Sequence, residues 1–149
     1  MMKYDKVILG CGELEYDGIC LHIDQIRTRP DVFVWDLNQI PWPFENEITE
    51  QVIAKDIIEH LDSVVKTVKE CHRILKPEGL LVITTPHKDS ENSWHDPTHK
   101  WHLTEKSFEY FDPNTEFGSK YGFYTNYKFQ ILRNEITEDQ NIFVVMKKK

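Results

Sequence analysis

The chain has 149 residues, 40% hydrophobic and 12% aromatic, with a net charge of −7, which suits one domain over residues 1–149 with a single sizeable core. No apolar run approaches the ~20 residues that cross a bilayer. The start, Met1 to Gly10, lacks the apolar stretch and cleavage site of an export signal, so the expectation is a cytoplasmic protein with no membrane partner. The acidic balance also makes nucleic acid an unlikely partner, since phosphate backbones reward clustered Lys and Arg and the basic run here is Lys147 to Lys149.

Asp5 to Leu9 reads as a short buried strand running into a glycine-bounded turn, Gly10-Cys11-Gly12. Glycines there let the backbone take positive φ or approach a ligand closely. Ile19 to Ile23 is a second strand ending at Asp24, which stands 14 positions after Gly10. A full crossover helix needs about 20, so the first crossover is shortened or replaced by a loop. That spacing and the missing third glycine disfavour a nicotinamide-dependent oxidoreductase. Asp31 to Trp35 is a third strand ending at Asp36-Leu37. Ile40 to Phe44 carries two prolines and reads as a surface loop, with Trp42 as a pocket wall or a surface aromatic. Gln51 to Lys55 is a fourth strand, closed by Asp56.

The clearest helix follows. Leu61, Val64, Val65, Val68, Cys71 and Leu75 form one apolar stripe. Asp62 or Ser63 caps its start, and Lys76-Pro77-Glu78-Gly79 stops it. Leu80 to Thr85 has the unbroken apolar character of a strand covered on both faces. Pro86 to Trp101 is a polar loop dense in histidine and tryptophan, and Thr104 to Tyr110 a short helix capped by Thr104. Lys128 to Arg133 and Ile142 to Met146 then form an antiparallel hairpin. The fold class is α/β: a Rossmann-like, mostly parallel sheet with a shortened first crossover. Cys11, Cys20 and Cys71 form neither a paired framework nor a CxxC.

Five segments in this order resemble the class I S-adenosylmethionine-dependent methyltransferases, small type-11-like members in particular. They are Ile8 to Gly12, His22 to Asp24, Trp35 to Phe44, Lys55 to Leu61 and Arg73 to His87; Asp96 to Phe111 is similar to a segment of some small members. The resemblance implies about seven strands, the last two being the hairpin, and S-adenosylmethionine as cofactor. It also implies that Gly10 and Gly12 pass the methionine part and that Asp24 accepts from the ribose hydroxyls. Asp36 would accept from the adenine amino group with the Leu37 amide nearby, and Asp56 stands near the cofactor's amino acid or caps a helix. A carboxylate is an acceptor only and suits those donors. Ile23, Leu37 and Ile57 are the expected apolar walls of the base.

Methyl transfer is an in-line displacement that needs alignment more than a fixed triad. The expected acceptor side is the loop holding His87, His95, His99 and His102, since ligands bind at the carboxyl ends of the strands. His99 and His87 are the candidate catalytic bases for an oxygen or nitrogen nucleophile. His95 and His99 have an i, i+4 spacing, but Pro97 breaks the helix that would make it meaningful, so no metal is expected. Glu59 and His60 read as helix-start residues that satisfy local backbone groups, with a direct catalytic role as the alternative. The acceptor is left open, a small molecule, sugar or protein side chain ahead of nucleic acid, and the aromatic segment Phe108 to Phe129 offers a contact for a homodimer. A module that binds the cofactor or a partner without catalysis is the competing reading.

Overall fold

A computed structural model describes residues 3–149; Met1 and Met2, at the head of the stretch read for an export signal, lie outside the described residues. Seven strands form one sheet: β1 (Tyr4–Leu9), β2 (Cys20–Asp24), β3 (Val32–Val34), β4 (Thr49–Lys55), β5 (Leu75–Pro86), β6 (Phe129–Ile136) and β7 (Asn141–Lys148). Their order is β3-β2-β1-β4-β5-β7-β6. The first five pair in parallel, and β7 is antiparallel to both β5 and β6. The expected class and C-terminal hairpin are what the structure has. Among the described residues, no helix is long and apolar enough to cross a membrane.

Only β4 and β5 are joined through a long helix, α1 (Val64–Ile74), whose start is capped by Ser63: its hydroxyl accepts from the Lys66 N–H at 3.1 Å. The helix is one turn shorter than its stripe suggests. Val68, Cys71 and Ile74 are fully buried, whereas Val65, at the edge of the apolar arc, is exposed. No stop segment separates helix from strand, because β5 begins at Leu75 and takes in Lys76 to Gly79, with Glu78 at φ +67°. Between Gly10 and Cys20, Asp24 and Val32, and Val34 and Thr49 the chain forms turns and loops, so the first crossover is a loop as its spacing predicts.

This uneven use of helix makes the sheet one-sided. The main core lies on one face, where Val7, Leu9, Ile23, Val52, Leu81, Ile83 and Val144 meet α1, Trp42, Phe108 and Phe111. On the other face Ile8, Cys11 and Val32 form a small cluster under the loop carrying Tyr16. Burial along Leu80 to Thr85 therefore alternates between buried and half-buried, correcting the expectation of two-sided cover. Parallel strands are two-sided where crossover helices supply the second layer, and here three of the four parallel connections supply none.

The remaining helices are short: α2 (Glu91–His95), α3 (Lys106–Glu109) and α4 (Glu116–Tyr121). The polar loop thus contains a helix, capped by Ser90. Thr104 is not a cap; its N–H donates to Ser107 Oγ, and Glu105 precedes α3 without a side-chain cap bond. Trp42 is neither pocket wall nor surface aromatic but part of the core, with its indole N–H donating to the Leu37 carbonyl at 3.0 Å. Of the aromatic segment expected to meet a second copy, Phe108, Phe111 and Phe129 are buried, and Phe123 and Tyr124 face outward.

Candidate functional site

Two clefts open at the carboxyl ends of the parallel strands, where open α/β sheets bind ligands. The first, of about 100 Å³, is lined by Gly10, Asp24, Trp35, Asp36, Leu37 and Ile57, with Gln25, Asn38, His60 and Leu61 completing its rim. Gly10 has φ +61° and Gly12 φ +52°, the left-handed region that favours glycine. A Cβ at Gly10 would stand 2.7 Å from the Ile57 side chain, whereas one at Gly12 would meet nothing within 4 Å. Gly10 is therefore needed for close packing, and Gly12 leaves a bare stretch of backbone facing open space.

Asp24 ends β2 and turns its carboxylate back on the glycine turn. Its Oδ2 accepts from the Gly12 N–H at 2.9 Å and its Oδ1 from the Ile26 N–H at 3.1 Å. These bonds orient the group and leave each oxygen a further lone pair. Asp36 follows β3, and its Oδ1 accepts from the Asn38 N–H at 2.9 Å. The two carboxylates thus line one cleft walled by Trp35, Leu37, Ile57 and Leu61. That pair of acceptors and the apolar walls suit the ribose diol and exocyclic amine of a nucleoside, while Gly12 touches the site through its N–H bond to Asp24 and is itself outside the lining. Ile23, expected as a wall, is fully buried and outside the lining. Trp35 takes its place, and it stands beside Asp36 in the same sequence segment.

The second cleft, of about 270 Å³, is lined by Asp56, Glu59, His60, Pro86, Asn92, His95, Asp96, His99 and Asn141, and shares His60 with the first. Asp56 closes β4 with φ +53° and donates its N–H to the Thr84 carbonyl at 2.8 Å. It lies in this cleft and is outside the lining of the first. The next residues form a 3-10 turn, Ile58–His60. The polar loop is tied over it: Lys100 N–H donates to the Glu59 carbonyl at 2.7 Å, and the Trp101 indole to the Leu61 carbonyl at 2.8 Å.

This tie brings His99 to Glu59 and His60. Glu59 is buried, and its Oε2 accepts from the Thr85 hydroxyl at 3.0 Å. Burial pushes its carboxyl above the usual range, against the hydrogen bonds it accepts. Burial, then the neighbouring His99, holds His60 below the usual imidazole range. The His60 and His99 rings meet edge to face at 4.6 Å. His87 lies elsewhere: its Nε2 faces Glu105 at 3.3 Å, its Nδ1 accepts from the Asp89 N–H, and it is outside both linings. His102 stacks on Trp94 at 3.5 Å. Of the two histidines proposed from sequence, the structure brings only His99 to the cleft, and it adds Glu59 and His60. The signal for those two was their place beside Asp56 in the Lys55 to Leu61 segment.

Comparison with known proteins agrees with this geometry. A family described as a methyltransferase domain matches residues 19–83. A probable S-adenosylmethionine-dependent methyltransferase of Mycobacterium tuberculosis is 31% identical over 119 residues, covering 68% of this chain and 43% of that protein. The chain therefore spans under half the length of such relatives. A solved S-adenosylmethionine-dependent methyltransferase from Archaeoglobus fulgidus superposes with a TM-score of 0.68 at 17% identity, over 96% of this chain and 85% of that one. The methyltransferase solved with its Trm112 activator from Haloferax volcanii gives 0.67 at 14% identity, over 98% and 83%. Sheet order, acidic strand ends and these likenesses together make the chain similar to the class I S-adenosylmethionine-dependent methyltransferases, with their fold across the whole sheet and the methyltransferase-domain match over residues 19–83.

Proposed function

We propose that the chain transfers the methyl group of S-adenosylmethionine to an acceptor held in the histidine-lined cleft. The observation that supports this reading is that the two clefts meet at His60, which lines both, so that the cleft of Asp24 and Asp36 neighbours the histidine-lined one. When bound, the cofactor supplies a methyl already activated on a sulfonium. What remains for this chain is to bind, align and exclude water, and alignment alone is worth ~7–11 kcal/mol of barrier. Asp24 would hold the ribose hydroxyls, Asp36 the adenine amine with Leu37 beside it, and the turn from Gly10 to Gly12 the passage of the methionine part. Asp56 and His99 would face the acceptor, which the size and polarity of the cleft suit to a small molecule.

Calorimetric titration with S-adenosylmethionine and S-adenosylhomocysteine tests the reading. Asp24→Ala is expected to weaken binding about tenfold or more, since a charge-assisted hydrogen bond is worth ~1.5–3 kcal/mol. His99→Ala is expected to keep cofactor affinity and lose methyl transfer. Unchanged affinity in the first variant, or full transfer in the second, would remove that residue from its role. A binding module without turnover is the second reading. It draws on the loop, with no helix, that borders the cofactor side from Gly12 to Cys20, and cofactor binding without transfer to any acceptor would favour it.

A further inference from the structure

The histidine-lined cleft brings together three side chains able to ligate an ion. The Ser93 carbonyl can only accept, so His99 Nδ1, 3.1 Å away, carries the ring proton and Nε2 bears the lone pair. The Thr98 hydroxyl donates its one proton to Asp96 Oδ1 at 2.7 Å. It therefore accepts from His60 Nδ1 at 2.9 Å, which leaves the His60 lone pair on Nε2. Glu59 spends Oε2 on Thr85, and its Oε1 is buried without any hydrogen-bond partner. One ligating atom from each of Glu59, His60 and His99 lies within 4.8 Å of the other two.

The spacing decides what could join them. His99 Nε2 stands 3.9 Å from Glu59 Oε1, too far for a shared proton to make a hydrogen bond. Two metal–ligand bonds of about 2.0–2.1 Å meeting at a tetrahedral angle set their donors about 3.3 Å apart, so a closing movement of about half an ångström would bring both onto one ion. The side chains of Glu59 and His99 are 2% and 7% exposed, so water does not readily relieve the unpaired oxygen. The second nitrogen of each ring is already tied to a protein acceptor, the arrangement that fixes the tautomer of a metal-bound histidine. Asp96 Oδ2, 3.6 Å from His99 Nε2, is within reach of a fourth position.

We propose that Glu59, His60 and His99 bind a divalent first-row transition ion, with zinc the best match, at the edge of the histidine-lined cleft. Two imidazoles and one carboxylate are borderline donors that suit zinc and its neighbours, whereas magnesium and calcium favour oxygen alone. The site stands apart from the methyl-transfer reading, because ion binding needs neither cofactor nor acceptor. Only its use rests on that reading: a position left open toward the cleft would take an oxygen or nitrogen lone pair of the acceptor.

The test is calorimetric titration of chelator-treated, folded protein with Zn²⁺, with the visible absorption of the Co²⁺ form as a second readout. About one ion per chain is expected, with the strong absorption of a four-coordinate Co²⁺ site. His99→Ala and Glu59→Gln are each expected to lower Zn²⁺ affinity at least ~10-fold. Glu59→Gln keeps the shape and an acceptor for Thr85, which guards against simple loss of the fold. His95→Ala, in the same cleft but outside the ligand set, is expected to bind as the parent does. No ion bound by the folded parent, or equal affinity in His99→Ala and Glu59→Gln, would overturn the site. So would an affinity that falls as much in His95→Ala.

Discussion

At the residue scale, the two glycines of the first turn do different work. Gly10 packs under Ile57 and Gly12 borders open space. A left-handed backbone costs a residue with a Cβ about 1–2 kcal/mol at either position, but only Gly10→Ala adds a steric clash. Gly10→Ala is expected to lower the unfolding midpoint more than Gly12→Ala, as thermal unfolding would show, because Ile57 must shift. Cofactor affinity is expected to fall with it, since Ile57 walls the cleft. Equal midpoints in the two variants would mean that Ile57 moves freely. Asp56 stands in the same left-handed region at the end of β4, and such backbone clusters at functional sites.

At the element scale, α1 is held by its cap and by one buried charge pair. Loss of the Ser63 hydroxyl in Ser63→Ala is expected to cost about 1 kcal/mol in denaturant unfolding. Glu70 matters more. Its Oε2 accepts from the Trp42 N–H and from Arg73 Nη2, both at 2.8 Å, and Oε1 from Arg73 Nε at 3.0 Å. Arg73 in turn donates to the carbonyls of Trp42 and Phe44. The pair therefore clamps the proline-rich segment onto the helix. Breaking a fully buried pair by removing one charge costs about 3–5 kcal/mol; Arg73 is 20% exposed, which lessens that cost, and Glu70→Ala should still destabilise the chain more than Ser63→Ala. A similar loss from both would show that the clamp is marginal.

At the scale of the whole molecule, half-buried His72 and buried Glu70 are two of the groups through which stability follows pH. Burial, with the Lys148 charge, holds His72 below the usual imidazole value against its bonds to the Lys128 and Lys149 carbonyls. The unfolded chain then binds the extra proton first, so this stability is full above about pH 6.5 and is lost as pH falls below it. Burial alone would raise Glu70, but the bonds from Arg73 and the Trp42 N–H outweigh it and hold the carboxyl low. Its contribution is present above about pH 4.3 and is lost as pH falls through the folded value. Urea midpoints are expected to drop in two stages on acidification. His22 and His60 are held low by burial too, so His72→Gln is expected to lessen the upper stage and leave the lower, and an unchanged upper stage would assign it to those two histidines.

The same one-sided sheet explains which features were legible in the sequence. Strands and turns depend on local pattern, so the strands around Val7, Ile23 and Val52, the looped first crossover and the hairpin of β6 and β7 could be read directly. Asp24 and Asp36 were readable too, since each sits at a strand end whose position follows from that pattern. What local pattern omits is cover. Trp42 read as a pocket wall or a surface aromatic between Pro41 and Pro43, yet the Glu70–Arg73 clamp draws it into the core, and Leu80 to Thr85 looked two-sided although no helix covers its second face. The histidines show the same limit. Four of them stand between His87 and His102, but only tertiary contacts send His87 to Glu105 and His99 to Glu59 and His60, some 40 positions away. Order along the chain specifies backbone hydrogen bonding between near neighbours, and the convergence of side chains from distant segments is decided by how the loops close over the sheet.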